Sequence, residues 1–131
     1  MLTRITFVKV RRIPAENINE DLQWLGNALG LFSLRDRDSS CFRVFIMLVR
    51  LTKKKEGITS DDIAQRLNLS RGTVIHHLTR LMEAGIVIRD HNGYILREQN
   101  LQRLIHDLRR EMEDFFSELD RVAQEIDQKL N

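Results

Sequence analysis

The residues with the greatest chemical reach lie between positions 59 and 97. Ser60 and Ser70 each stand at the start of a short helical pattern, Arg71, Thr73, His76 and Arg80 follow along the second pattern, and Arg89, His91 and Arg97 come after it. Hydroxyls, imidazoles and guanidinium groups spaced in this way suit hydrogen bonding and charge pairing with a polyanion rather than bond making. The sequence has no phosphate-binding glycine loop, no Gly-x-Ser-x-Gly and no His-Glu-x-x-His, and its C-terminal carboxylates follow a solvated helical face. Neither an enzyme nor a catalytic residue is expected.

Two short helices must position these groups. Thr59 stands as an N-cap with Asp62 three residues on, a capping box with Asp in place of Glu. The spacing predicts a helix over Ser60 to Leu67 with Ile63, Ala64 and Leu67 inward. Ser70 then caps a second helix from Arg71 to about Ala84, which Gly85 ends. A turn of about three residues between them is helix-turn-helix spacing, and small Ala64 lets the second helix cross close by. At about 100° per residue, Val74, Leu78 and Leu81 fall on the core side. Gly72, Thr73, His76, Thr79, Arg80 and Glu83 point the other way, Arg71 sits at the tip, and His77 is a packing residue on the flank. A helix lying in a major groove reads bases with its N-terminal and outward residues, so Arg71, Thr73, His76 and Arg80 are the candidates for base-edge or nearby phosphate contact.

After Gly85, Asn92-Gly93 separates two β-prone runs and predicts a hairpin whose type I′ turn has both central residues at positive φ. A hairpin behind a helix-turn-helix is a wing, so residues 42–97 predict a winged helix, with Tyr94 packed under the wing. Phosphate anchoring is expected from the amides at both helix N-termini, from Ser60 and Ser70, and from Arg89, His91 and Arg97 of the wing. Lys53, Lys54 and Lys55 add a general electrostatic contribution. Each cation that neutralises a phosphate steepens the salt dependence by about one unit.

The flanks are simpler. Thr3 to Ile13 alternates apolar and polar residues, as a strand or extended arm ending at Pro14. Leu22, Leu25, Leu29 and Phe32 give a helix from Asn19 to about Phe32, and a charged loop follows in which Ser39 or Ser40 caps a helix from Cys41 to about Leu51. From Gln99 to Leu130 one helical pattern runs with a strict heptad seam of Leu101, Ile105, Leu108, Met112, Phe115, Leu119, Val122 and Ile126, widened by Leu104, Phe116 and Leu130. About 45 Å of helix exceeds what so small a domain can cover with its own core, so the seam is expected to meet another chain or the other terminal helix.

The 131 residues, 42% hydrophobic and 31% charged, make one small unit whose core gains from a partner. The net charge of +2 hides a division: residues 1–55 carry eleven Lys/Arg and five Asp/Glu, whereas residues 99–131 carry five and eight. A basic front beside an acidic tail suggests a polyanion surface on one side and another task at the C-terminus. The longest apolar runs are far too short to cross a membrane, and the N-terminus lacks a signal-peptide pattern, so a cytoplasmic location is expected. A lone cysteine, Cys41, excludes an intrachain disulfide framework.

Ile63 to Val87 resembles the helix-turn-helix of the ArsR-like winged-helix repressors over about 25 residues. Leu67-Asn68-Leu69-Ser70, Thr73-Val74-Ile75-His76-His77-Leu78 and Leu81-Met82-Glu83-Ala84-Gly85-Ile86-Val87 carry the likeness. It implies a dimer built through the first and last helices, and it raises metal sensing. The thiolate ligand pair near the first helix of the motif has no counterpart from Thr59 to Leu67, and on the last helix His106 stands with Leu104 and Arg109 where further ligands would be needed. No metal and no cofactor are therefore expected.

The reading is a mainly α fold with a small β-hairpin wing: residues 1–40 an arm and helix supporting a dimer, 41–98 a winged helix-turn-helix, and 99–131 a coiled-coil-like dimerisation helix. Its function would be sequence-specific binding of double-stranded DNA by a homodimeric transcriptional regulator, a repressor, on an inverted-repeat operator. The partners are duplex DNA and a second copy, with no membrane and with any small-molecule effector left open. The alternatives are a winged-helix module for protein contact and a metal- or ligand-responsive ArsR-type sensor with a non-standard site.

Overall fold

The chain was analysed as a computed structural model that describes residues 4–12, 16–32 and 39–131. In order it forms α1 (Ile18–Ala28), α2 (Ser40–Lys53), α3 (Ser60–Leu67), α4 (Arg71–Glu83), β1 (Val87–Asp90), β2 (Gly93–Leu96) and α5 (Leu101–Leu130). Side-chain caps start most of the helices. Asn17 accepts from the Glu20 amide at 3.0 Å, Thr59 from Asp62 at 3.1 Å, Ser70 from Thr73 at 3.1 Å and Asn100 from Arg103 at 2.8 Å. Each such cap satisfies an otherwise orphaned amide and is worth about 1 kcal/mol. Asn68, in the left-handed region at φ 54°, ends α3 and turns the chain into α4.

α2 departs from the expected serine cap. Ser39 occupies the cap position at φ 54° and makes no side-chain cap bond. Ser40 is instead buried, with its Oγ 2.6 Å from Nε2 of His77, so it joins the start of α2 to the middle of α4.

The hairpin pairs Val87 with Leu96, Ile88 with Ile95, Arg89 with Tyr94 and Asp90 with Gly93. Its two-residue connection is therefore His91-Asn92, one position earlier than the expected Asn92-Gly93 pair. Only Gly93 has positive φ, at 121°, so the type I′ turn is not formed. Asp90 Oδ1 accepts from the Asn92 amide at 2.8 Å and closes the turn locally. Gly93 is needed for another reason: a Cβ there would lie 2.4 Å from the Ile58 carbonyl oxygen. That close approach lets Ile58 and Tyr94 exchange two backbone hydrogen bonds, of 3.1 and 2.7 Å, as an isolated antiparallel bridge on the free side of β2.

One core draws on every helix. Leu22, Leu29 and Leu31 from the α1 region, Phe45 and Leu48 of α2, Ile63 of α3, Val74, Leu78 and Leu81 of α4, and Leu104 and Leu108 of α5 join Ile86, Val87 and Leu96 of the hairpin. Each fully buried leucine contributes about 1.5–3 kcal/mol relative to exposure. α1 ends at Ala28, four residues before the expected Phe32. Gly30, at φ 68°, turns the chain there, and a Cβ on it would stand 2.3 Å from the Thr6 carbonyl.

That contact belongs to the N-terminal arm. Residues 4–12 form no regular helix or strand. The arm is held by Arg4 N donating to Glu83 O at 2.7 Å, Val8 N to Ala28 O at 2.8 Å, and Trp24 Nε1 to Val10 O at 3.2 Å. Pro14 and most of the charged loop before Ser39 lie outside the described residues.

α5 divides in two. Leu104 and Leu108 are buried in the protomer's own core, with Leu101 and Ile105 packed against it. From Phe115 onward the apolar side chains are bare: Phe115, Phe116, Leu119, Val122, Ile126 and Leu130 are between 43% and 79% exposed. Among the described residues, no helix is long and apolar enough to cross a membrane.

Candidate nucleic-acid interface

α4 crosses α3 with Val74, Leu78 and Leu81 directed inward, so its opposite face is solvated. Arg71, Gly72, Ile75, His76 and Thr79 are exposed on that face, while Thr73 and Arg80 are half-buried at its edges. Arg71 stands 3.4 Å from Asp61 in the first turn of α3, and both side chains are more than 70% exposed. An exposed pair of this kind contributes little to stability, so the guanidinium can exchange its partner for a phosphate at small cost.

The other predicted residues of the motif are placed as follows. His76 is exposed, its ring 5.6 Å from that of buried His77. Ser70 Oγ accepts the Thr73 amide and donates to Thr73 Oγ1 at 2.7 Å, which ties the two hydroxyls together at the tip of α4. Arg80 reaches back, with Nη2 donating to the Gly30 carbonyl at 3.4 Å. Ser60 is half-buried in the first turn of α3, where Thr59 makes the cap. Arg43 of α2 donates to the Leu67 carbonyl and so steadies the end of α3.

On the wing, His91 is exposed at the tip. Arg89 lies over the ring of its cross-strand partner Tyr94, 5.5 Å from the centroid, and Tyr94 is buried beneath it. Arg97 turns away from the wing and toward α5. Its Nη1 donates to Glu111 Oε1 at 2.7 Å, its Nη2 is 3.8 Å from Asp107 Oδ2, and the side chain is only 22% exposed. Beside this pair the Glu98 carboxyl is raised above its ordinary range, first by a hydrogen bond shared with Asp107 and then by burial and the nearby Asp107 charge. Arg97 thus joins the base of the wing to α5.

One residue of the exposed face, Ile75, escaped the sequence reading. Ile75 is a large apolar side chain 37% exposed in the middle of α4, and an apolar group there suits contact with a thymine methyl. The available signal was its position about 100° from Val74, outside the buried stripe. Gly72 has nothing within 4 Å of the place its Cβ would occupy, so packing gives no reason for a glycine there. A missing side chain in the first turn does allow a ligand's backbone to approach closely.

The sequence-based metal question has a structural counterpart. Among the described residues, no group of three or more His, Cys, Asp or Glu side chains is arranged to hold a metal ion. His106 is exposed on α5.

Comparison with known proteins adds one finding. Residues 46–88 match the family model described as winged helix-turn-helix DNA-binding. No curated protein and no solved structure matches the chain. The matched stretch runs from the middle of α2 through α3 and α4 into β1, the elements that present the exposed face described above. With the hairpin and the long last helix around it, this part of the chain has a winged helix-turn-helix fold and is similar over those residues to the DNA-binding family.

Proposed function

We propose that the chain is a sequence-specific double-stranded DNA-binding transcriptional regulator of ArsR-like type, acting as a homodimer on an inverted-repeat operator as a repressor. The observation that carries this reading is the exposed face of α4, where Arg71 and His76 stand beside Gly72, Ile75 and Thr79. That face combines a cation for phosphate or guanine, an imidazole and a hydroxyl for base edges, and an apolar group for thymine. Arg89 and His91 extend the contact along the wing to the neighbouring backbone. Arg97 has its role at the α5 contact instead, and Thr73 and Arg80 support the rim of the face.

The homodimer is supported by the apolar stripe from Phe115 to Leu130, which finds no cover within the described residues. Two-fold symmetry would set two copies of α4 into successive major grooves, with half-sites about one helical turn, or a multiple, apart. Selecting bound fragments from a random duplex pool tests the proposal. An imperfect inverted repeat with groove-matched spacing is expected. Recovery of unrelated fragments with no shared element would reject sequence-specific recognition, and a single unrepeated half-site would reject the symmetric dimer.

A further inference from the structure

We infer that the N-terminal arm of one protomer docks on the acidic far half of α5 from a second copy, which pairs the two long helices antiparallel. The inference rests on the homodimer proposed above and specifies its geometry. Residues 4–12 carry four cations and no carboxylate, whereas Glu113 to Leu130 carries six carboxylates and two cations. Among the described residues, only Arg12 of the arm is paired, with Asp21 at 3.4 Å. Phe7 and Val8 of the arm are 49% and 48% exposed, although three hydrogen bonds hold the segment in place. A basic segment with bare apolar side chains and an acidic helix with a bare apolar stripe are complementary in both charge and hydropathy.

The positions of the two surfaces select the direction of pairing. The arm meets its own α5 at an open groove of about 490 Å³ lined by Arg4, Ile5, Glu111, Met112 and Phe115. Beyond Phe115 the helix continues for fifteen residues, about 22 Å, so its own acidic end lies past the arm. A second copy running antiparallel brings its acidic end back to this groove, with Phe115 layered against its Ile126 and Leu119 against its Val122. Glu111, Glu118 and Glu125 recur every seven residues along one edge of the stripe, and in this pairing the edges of the two copies face each other. That carboxylate-rich seam requires cations, and Arg4 shares the groove with Glu111 on the same edge. Parallel pairing would carry both acidic ends away together and leave both arms bare.

Cross-linking tests the geometry. Differently tagged chains carrying Arg4→Cys or Gln128→Cys are mixed, allowed to exchange subunits and treated with a short bis-maleimide; wild type, with only the buried Cys41, is the control. A product joining the two tags is expected, with no product joining two Gln128→Cys chains. The reverse pattern in a protein that light scattering shows to be dimeric would overturn this inference and leave the homodimer standing. A monomer would overturn both. Charge exchange gives a second reading: Arg4→Glu with Lys9→Glu should weaken self-association roughly tenfold. Adding Glu125→Lys and Asp127→Lys to the same chain should restore it. No weakening, or weakening without restoration, would contradict the pairing.

Discussion

α4 and the far half of α5 are both amphipathic, yet they leave opposite faces bare. In α4 the apolar residues Val74, Leu78 and Leu81 are all at most 1% exposed, and most of the face left in water is polar or cationic. In α5 the same arrangement holds only as far as Leu108; beyond it Phe115, Leu119, Val122 and Ile126 are about half exposed. A helix whose apolar side is satisfied at home has its polar side free for a charged, hydrated ligand. A helix whose apolar side is unsatisfied calls for another protein surface, because burying that stripe is what returns free energy.

The comparison breaks most readily at two leucines of one seam. Leu108→Ala removes a side chain 2% exposed and should lower unfolding stability by about 2–5 kcal/mol in a denaturant titration. Leu119→Ala removes one that is 45% exposed; it should leave protomer stability unchanged and act only on the concentration dependence of the unfolding midpoint. Equal losses at a fixed low concentration would mean that the two halves of α5 are not different in kind.

Two arginines sharpen the contrast from the other side. Arg71→Ala should weaken specific duplex binding by about 1–3 kcal/mol while thermal unfolding stays unchanged. Arg97→Ala should do the converse, lowering the melting temperature through loss of its contacts with Asp107 and Glu111. Binding titrations beside melting curves would expose an error in either assignment.

Gly72→Ala carries the smallest effect and opposite signs. With open space around the new methyl, the fold should gain about 0.5–1 kcal/mol from helix propensity. Duplex affinity should fall, because the methyl stands where a phosphate backbone would approach. Improved stability with unchanged affinity would remove Gly72 from the interface.

What could be read from sequence follows the range of the signals. The starts of α3 and α4 were legible because Thr59 and Ser70 cap helices a few residues away, and the inward stripe of α4 was legible because its period is local. The placements that differed depend on distant groups. Ser40 is buried against His77, 37 residues on. Gly93 answers to Ile58 rather than to a turn type. Arg97 looks like a wing cation until Glu111, 14 residues away, is brought beside it. Likewise the heptad from Leu101 to Ile126 reads as one continuous seam, because periodicity carries no record of which half the protomer's own core will claim.

Binding of the purified wild-type protein to a random-sequence duplex, followed by fluorescence anisotropy across a salt series, tests the central claim most directly. The account predicts saturable binding at low salt and a log–log decline in affinity with salt whose slope reflects several released counterions, roughly 0.9 per neutralised phosphate. Absence of binding at the lowest salt, or affinity indifferent to salt, would contradict it.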